Sequence, residues 1–128
     1  MSVASNTVEE VSPGVFLLRF PKAELIDARY CEHLVPPLIA GSQTGAIVLL
    51  VDLPENARLI VPNMAPFWLE VFTKRGVSVK GIAVLTTSRA VKVVLNGVAL
   101  AMRVQGKPVS VTTVPTKPEL LAWSKTIT

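Results

Sequence analysis

This chain of 128 residues has little cysteine, few charged residues and no long apolar run. Its one cysteine, Cys31, permits no internal disulfide, which is typical of proteins from a reducing compartment. No apolar run approaches the roughly 18 residues that cross a bilayer. The opening segment, MSVASNTVEE, lacks the basic and apolar regions of a secretory signal. We therefore expect a cytoplasmic protein with no transmembrane segment.

Acidic residues are almost absent from the second half of the chain. Residues 73–128 contain nine basic side chains and one acidic side chain, whereas residues 1–72 contain four basic and eight acidic. The two halves therefore carry charges of about −4 and +8. Such asymmetry indicates either an anionic partner or two oppositely charged faces that help the domain to self-associate. We expect no nucleic acid, because no aromatic residues alternate with the basic ones.

Half of the residues are hydrophobic and only 17% are charged, which excludes disorder over most of the chain and suits one domain with one core. The segment VEEVSPGVFLLRFP predicts a β-hairpin with a Ser-Pro-Gly turn. Asp27 can cap a first helix, which the pair Pro36-Pro37 must kink or end because proline donates no amide hydrogen. The continuous apolar run AIVLLVDL predicts a strand buried on both faces of a parallel sheet.

A second and a third helix follow, separated by the apolar strand VKGIAVLTT. Asn63 can cap the second helix, with Pro66 in its first turn and Gly76 just beyond its end. Ser88 can cap the third helix, which we expect to reach about Val104. The segment PVSVTTV then predicts a last strand, and KPELLAWSK predicts a short C-terminal helix.

The pair Asn96-Gly97 lies between apolar runs and is also a hairpin signal, so the third helix has an alternative. A helical period fits better, because the apolar residues share one side of a helical wheel and the polar residues share the other. The apolar side consists of Val91, Val94, Leu95, Val98, Ala101 and Met102.

The predicted order is β-β-α-β-α-β-α-β-α, an α/β domain with a mostly parallel sheet and an antiparallel strand at one edge. This order, with IVLLVDL in the middle and VSVTTVPTKPELLAWSK at the end, resembles the STAS fold, and more closely its SpoIIAA-like branch of small bacterial domains. The resemblance covers residues 8–125 and leaves residues 1–7 as a flexible N-terminus.

The resemblance implies protein–protein interaction and regulation, because anti-sigma-factor antagonists of this family dock onto a partner. A kinase controls that docking by modifying the serine of an Asp-Ser pair at a helix start. Here Asp52-Leu53 matches the preceding strand end, but residues 61–63 read Val-Pro-Asn, and no serine or threonine occurs from residue 45 to residue 72. We therefore expect an interaction domain without the phosphorylation switch, and no modification at the usual place.

The docking surface that the resemblance implies is the loop and helix from Pro54 to Gly76. This helix has more large apolar residues than one face can bury, so some of them should be exposed or covered by another chain. The alternative is that Trp68 or Phe72 packs on the sheet, and we expect this for at least one of them. The predicted partner-binding residues are Pro54, Asn63, Met64, Phe67, Trp68 and Phe72.

Apolar residues also lie beside the basic side of the third helix, at Val93, Leu100 and Val104. Apolar side chains next to lysine and arginine indicate a dimer interface, a partner groove or a peripheral membrane contact. The alternative is that the N-terminal segment or the C-terminal helix covers them. A protein partner or a homodimer is therefore expected.

Two strand ends offer a second function, the binding of a small anionic or lipidic ligand. Asp52 ends the central strand, where open α/β sheets bind ligands, although it can equally cap the turn that follows. The backbone amides at the start of the third helix can hold an anion, unless Ser88 is an ordinary cap. The candidate ligand-binding residues are Asp52, Thr86, Thr87, Ser88 and Arg89.

No motif predicts catalysis, a metal or another cofactor. Cys31 and His33 are too few for a structural zinc site, and on a helix they point in different directions. No paired carboxylates, nucleophile triad, phosphate loop or dinucleotide fingerprint occurs. We expect a protein that is not an enzyme.

Overall fold

A computed structural model describes residues 7–20, 25–26, 31–53, 58–59 and 61–127, and for residues 25–26, 58–59 and 61–64 the backbone alone. The main elements follow the predicted order. The strands are β1 (Thr7–Ser12), β2 (Val15–Arg19), β3 (Leu25–Ile26), β4 (Ile47–Asp52), β5 (Arg58–Leu59), β6 (Val79–Leu85) and β7 (Ser110–Val114). The helices are α1 (Val35–Gly41), α2 (Val61–Lys74), α3 (Arg89–Val104) and α4 (Lys117–Ile127), with short 3-10 turns at Glu32–Leu34 and Ser42–Thr44.

Five of the described strands form a mixed sheet in the order β1-β2-β4-β6-β7. Strand β1 runs antiparallel to β2, and the remaining neighbours are parallel, as the alternation of strands and helices predicts. The short strands β3 and β5 form a separate parallel pair, which the sequence analysis missed because two residues are too few to show a period. The predicted α/β architecture is confirmed.

Alternate residues of each strand pack on opposite sides of the sheet, as the pleat requires. Helices α1, α2 and α3 cover one side, where the buried residues include Phe16, Leu18 and Leu49. Helix α4 covers the other side, where Leu120 packs with Leu17, Leu50 and their neighbours. Every central strand is therefore buried on both faces, which explains the continuous apolar run of β4.

The structure corrects the expectation that Pro36-Pro37 kinks or ends the first helix. The chain passes from the 3-10 turn into α1, and the prolines lie in the first turn of this helix. Amide hydrogens of the first turn have no partner within a helix, so their absence costs little there. The predicted cap Asp27 lies outside the described residues.

The structure also corrects the start of the second helix. Helix α2 begins at Val61, so Asn63 lies within its first turn and is not its cap. Pro62 follows the first residue, and its fixed φ suits the first turn of a helix. Pro66 therefore lies inside the helix, not in its first turn. Gly76 follows the end of α2 with a φ of 88°, as predicted.

Helix α3 confirms the helical interpretation of Asn96-Gly97. Ser88 is its N-cap, since its Oγ accepts a hydrogen bond from the Val91 amide at 3.4 Å. Gly106 follows the helix with a φ of 76°. The predicted apolar side faces the sheet: Val91, Leu95, Val98 and Met102 are buried, and Val94 and Ala101 are half-buried.

Candidate functional site

The predicted ligand residues Asp52 and Thr86 lie at the same end of the sheet. Strands β4 and β6 are neighbours, with Asp52 in register with Leu85. Asp52 also lies beside Arg19 of β2, and Arg19 Nε is 3.9 Å from Asp52 Oδ2. A second carboxylate oxygen, Glu9 Oε1, is 3.9 Å from Arg19 Nη2. The carboxylate of Asp52 is therefore part of a partly exposed charge cluster on the α4 side of the sheet.

Arg19 is a residue that the sequence analysis missed. Its Nε atom is buried, and within the described residues it has no hydrogen-bond partner, although the side chain as a whole is 40% exposed. A charged residue at the end of the apolar strand VFLLR was a signal that could have identified it. Its partners could not be identified, because a helical or strand period says nothing about which strands are neighbours.

The segment Thr86–Arg89 forms a local hydrogen-bonded cap. The amide of Ser88 donates to Thr86 Oγ1 at 3.1 Å, and the amide of Thr86 donates to the carbonyl oxygen of Val114 at 3.0 Å. Thr87 and Arg89 are exposed. The structure thus has the ordinary Ser88 cap, and an anion at this helix start stays a prediction.

The aromatic residues of α2 form one cluster. The ring centroids of Phe67 and Trp68 are 5.1 Å apart in an edge-to-face arrangement, and those of Trp68 and Phe72 are 5.7 Å apart and stacked. Phe72 is only 5% exposed and packs in the core, so this conformation does not present it to a partner. Phe67 and Trp68 are half-buried. Pro54 and the side chains of Asn63 and Met64 lie outside the described part of the chain.

An apolar cavity lies between the sheet and helices α2 and α3, at the carboxyl ends of β2, β4 and β6. Its volume is about 100 Å³. Every lining side chain among the described residues is apolar, and none of the candidate ligand residues takes part. The cavity is lined by Leu18, Phe20, Leu49, Val51, Leu53, Trp68, Phe72, Ile82, Val84, Val91, Val94, Leu95 and Val98. The cavity could not be predicted from the sequence, because its walls come from five separate elements and the segments after β2 and β4.

The outer side of helix α3 carries a row of exposed aliphatic side chains. Val93 is 70% exposed, Leu100 62% and Val104 79%. Their spacing of seven and four residues places them on one stripe, with Gly97 between them and the buried residues on the opposite side. We call Val93, Leu100 and Val104 the outer row. Helix α4 lies on the other face of the sheet, so it does not cover the outer row, and this part of the alternative is wrong.

Basic side chains border the outer row. Arg89, Lys92 and Arg103 are exposed, and among the described residues none of them forms an ion pair. The sequence has no acidic residue between Glu70 and Glu119, so no carboxylate of the chain is near them in sequence. The helix therefore combines exposed apolar area with positive charge that no carboxylate in the described part of the chain pairs with.

A groove separates α3 from the segment that leads into β7. Its volume is about 470 Å³, and its lining residues are Asn96, Ala99, Leu100 and Arg103 of α3 and residues 108–111. Leu100 belongs to both the outer row and the groove, so the two features form one continuous surface.

The described residues contain no cluster of three or more histidine, cysteine, aspartate or glutamate side chains that could hold a metal ion. Cys31 is buried and His33 is exposed, as expected for positions that point in different directions. None of the described helices combines the length and the apolar character needed to cross a membrane.

Comparison with known proteins identifies the fold. No family model matches the chain, and no curated protein matches it significantly. One similar solved structure is that of an uncharacterized DUF3478-family protein from Shewanella loihica PV-4, which has a SpoIIAA-like fold. The two chains are 20% identical, the alignment covers 97% of this chain and 98% of the other, and the TM-score is 0.54. At this identity the likeness shows the fold alone, and it confirms the resemblance found in the sequence: the chain has a SpoIIAA-like, STAS-type fold.

Proposed function

We propose that this chain is a non-enzymatic interaction domain that binds a protein partner through helix α3. The observation that carries the proposal is the outer row. Among the described residues, the other large exposed apolar residues are Val11 at 41% and Leu121 at 38%. They are single residues on separate elements, and scattered residues of this kind are normal. The outer row instead concentrates apolar area on one stripe of one helix.

The energy available from the outer row supports an interface. Fully burying a valine or leucine side chain stabilises a complex by about 1.5–3 kcal/mol. Three such residues, bordered by exposed cations, match the usual anatomy of an apolar centre and a polar rim. The partner surface of the domain is then α3, and the predicted face on α2 contributes at most Phe67 and Trp68 among the described side chains.

Serine phosphorylation of α2 has no part in this proposal. The segment from residue 45 to residue 72 offers no hydroxyl group to a kinase. The phosphorylation switch of anti-sigma-factor antagonists therefore does not control the proposed binding.

Quantitative affinity purification tests the proposal. The tagged wild-type chain, Leu100→Glu and the matched control Leu121→Glu are compared in the native cell. We expect the control to retain the same proteins as the wild type and Leu100→Glu to lose them. All three should melt at similar temperatures, because both leucines are exposed. Identical retention by Leu100→Glu and the wild type would contradict the proposal.

A second candidate function, the binding of an apolar ligand, is favoured by the cavity beneath α2 and α3. Its volume of about 100 Å³ has room for a few methylene groups or the end of an acyl chain. Such a ligand should raise the melting temperature according to RT ln(1 + [L]/Kd). Decanoate is a suitable probe, and Val94→Phe, which fills the cavity, is the matched variant. A flat response of the wild-type chain to decanoate would count against this function.

A further inference from the structure

The two edges of the sheet differ in how well they are protected from pairing with another strand. Strand β1 carries the exposed residues Glu9 and Glu10, and its register shifts between Glu10 and Ser12. Charges and bulges of this kind are common devices that block an edge. Strand β7 reads SVTTV, with no charge and no proline. One edge is therefore blocked and the other is open.

The backbone direction of β7 follows from its register with β6. The amide of Thr86 donates to the carbonyl oxygen of Val114, and the two strands are parallel. In a parallel ladder the backbone groups of alternate residues point to the same neighbour, so Ser110, Thr112 and Val114 face β6. The amides and carbonyls of Val111 and Thr113 therefore point to the outer edge, where no described strand pairs with them.

The groove beside this edge supplies room for side chains. Leu100 gives it an apolar part, and Asn96 and Arg103 give it polar groups. A strand added to β7 would direct every second side chain toward α3. An extended segment can thus use both the open edge and the groove, whereas a partner helix would leave the edge unpaired.

The positive charge of α3 distinguishes the segments that could bind at β7 and in the groove. Arg103 lines the groove, and Lys92 is exposed on the same side of α3. The chain has no acidic residue between Glu70 and Glu119. A second copy that paired its own β7 about a two-fold axis would bring the same cations together, which is unfavourable. A segment with acidic side chains would neutralise them.

We infer that β7 and the groove bind an acidic, extended segment of a partner protein, which pairs with β7 as an added strand. The inference rests on the proposed function, because it names the chemistry of the partner that α3 binds. Backbone hydrogen bonds of Val111 and Thr113 would hold the segment, Leu100 would contact its apolar side chains, and Arg103 would contact its carboxylates.

A designed peptide tests the inference on the full chain. The probe is a blocked peptide long enough to span β7, in which every second residue is threonine and the residues between them alternate valine and glutamate, so that one face presents both valine and glutamate. One control peptide has lysine in place of glutamate, and another is the acidic peptide with every second amide N-methylated. We expect only the unmethylated acidic peptide to bind, and to slow hydrogen exchange at the amides of Val111 and Thr113.

Charge variants test the role of the groove. Because 1.4 kcal/mol is a tenfold change, the loss of one favourable charge contact in Arg103→Glu should weaken peptide binding about tenfold. The control Lys125→Glu makes the same charge change on α4 and should leave binding unchanged. Added salt should weaken the wild-type complex.

Four results would overturn the inference. The first is failure of the acidic peptide to bind. The second is equally tight binding of the N-methylated peptide, which would mean that charge attracts the peptide without strand pairing. Third, the amides of Val111 and Thr113 could be protected from hydrogen exchange without any peptide, and more strongly at higher protein concentration. That result would assign the edge to a second copy of the chain. Fourth, binding to phosphatidylglycerol vesicles but not to the peptide would assign α3 to a membrane. If the peptide fails while Leu100→Glu still loses its proteins in affinity purification, the proposed function stands and only the strand-pairing inference falls.

Discussion

Trp123 of helix α4 lies against Gly81 of strand β6. A Cβ atom built at Gly81 would be 2.9 Å from Cη2 of Trp123 and 3.1 Å from Cγ2 of Ile127. Both distances are shorter than ordinary van der Waals contact, so the indole ring occupies the space that a side chain would need. Helix α4 thus packs on a glycine of the central sheet through Trp123 and Ile127.

Gly81→Ala should destabilise the domain. The added methyl group meets the ring of Trp123 and forces a shift of α4, and overpacking of this kind costs about 1–3 kcal/mol. Chemical denaturation monitored by circular dichroism measures the free energy of unfolding. An unchanged value would mean that α4 is not held against β6 as the structure has it.

Gly97→Ala is the matched substitution and should have the opposite sign. No atom lies within 4 Å of a Cβ atom built at Gly97, which is inside helix α3. Replacing glycine by alanine within a helix stabilises it by about 0.5–1 kcal/mol. A loss of stability in the same denaturation experiment would contradict the exposed position of Gly97.

Phe72→Ala and Leu100→Ala should separate the core from the outer row. Phe72 is 5% exposed, whereas Leu100 is 62% exposed. Removal of a buried phenylalanine ring costs about 3–5 kcal/mol of unfolding free energy, and truncation of an exposed side chain changes it by about 0.5 kcal/mol or less. Thermal or chemical denaturation of the two variants measures the difference. Comparable losses in both would mean that α3 is covered in solution.

The ion pair between Glu32 and Arg75 should make a small contribution to stability. Arg75 Nη1 is 2.6 Å from Glu32 Oε1 and 2.8 Å from Oε2, and it connects the 3-10 turn before α1 to the end of α2. The two side chains are 47% and 32% exposed, so solvent screens the pair. A double-mutant cycle with Glu32→Gln and Arg75→Gln should give a coupling of about 0.2–1 kcal/mol. The coupling should fall as salt is added, and no coupling at low salt would contradict the observed geometry.

The fold could be predicted where local chemistry and period agree. Ser88, the apolar side of α3 and Gly106 specify a capped helix, and this outweighs the hairpin signal of Asn96-Gly97. The buried strands were visible as continuous apolar runs. The pair Pro36-Pro37 was misinterpreted, because proline ends a helix when it lies in the interior and is tolerated in the first turn. The sequence does not say which of these applies.

The candidate site could be predicted only in part. The outer row follows from the period of α3, since Val93, Leu100 and Val104 fall away from the main apolar side. The contact of Asp52 with Arg19 depends on the pairing of β2 with β4, which no local pattern specifies. The open edge and the groove depend in the same way on the position of β7 in the sheet. Phe72 is buried because α2 packs with α3 over the sheet, a relationship between distant segments.

The most direct test of the central claim, that α3 contacts a protein through its outer row, is photo-crosslinking in the native cell. A photo-reactive amino acid is introduced in place of Val93, in the wild-type background and with Leu100→Glu, and in place of Lys125 as a control. The account predicts discrete protein adducts at position 93 that disappear with Leu100→Glu and do not form at position 125. No adduct at position 93, or the same adducts at both positions, would contradict it.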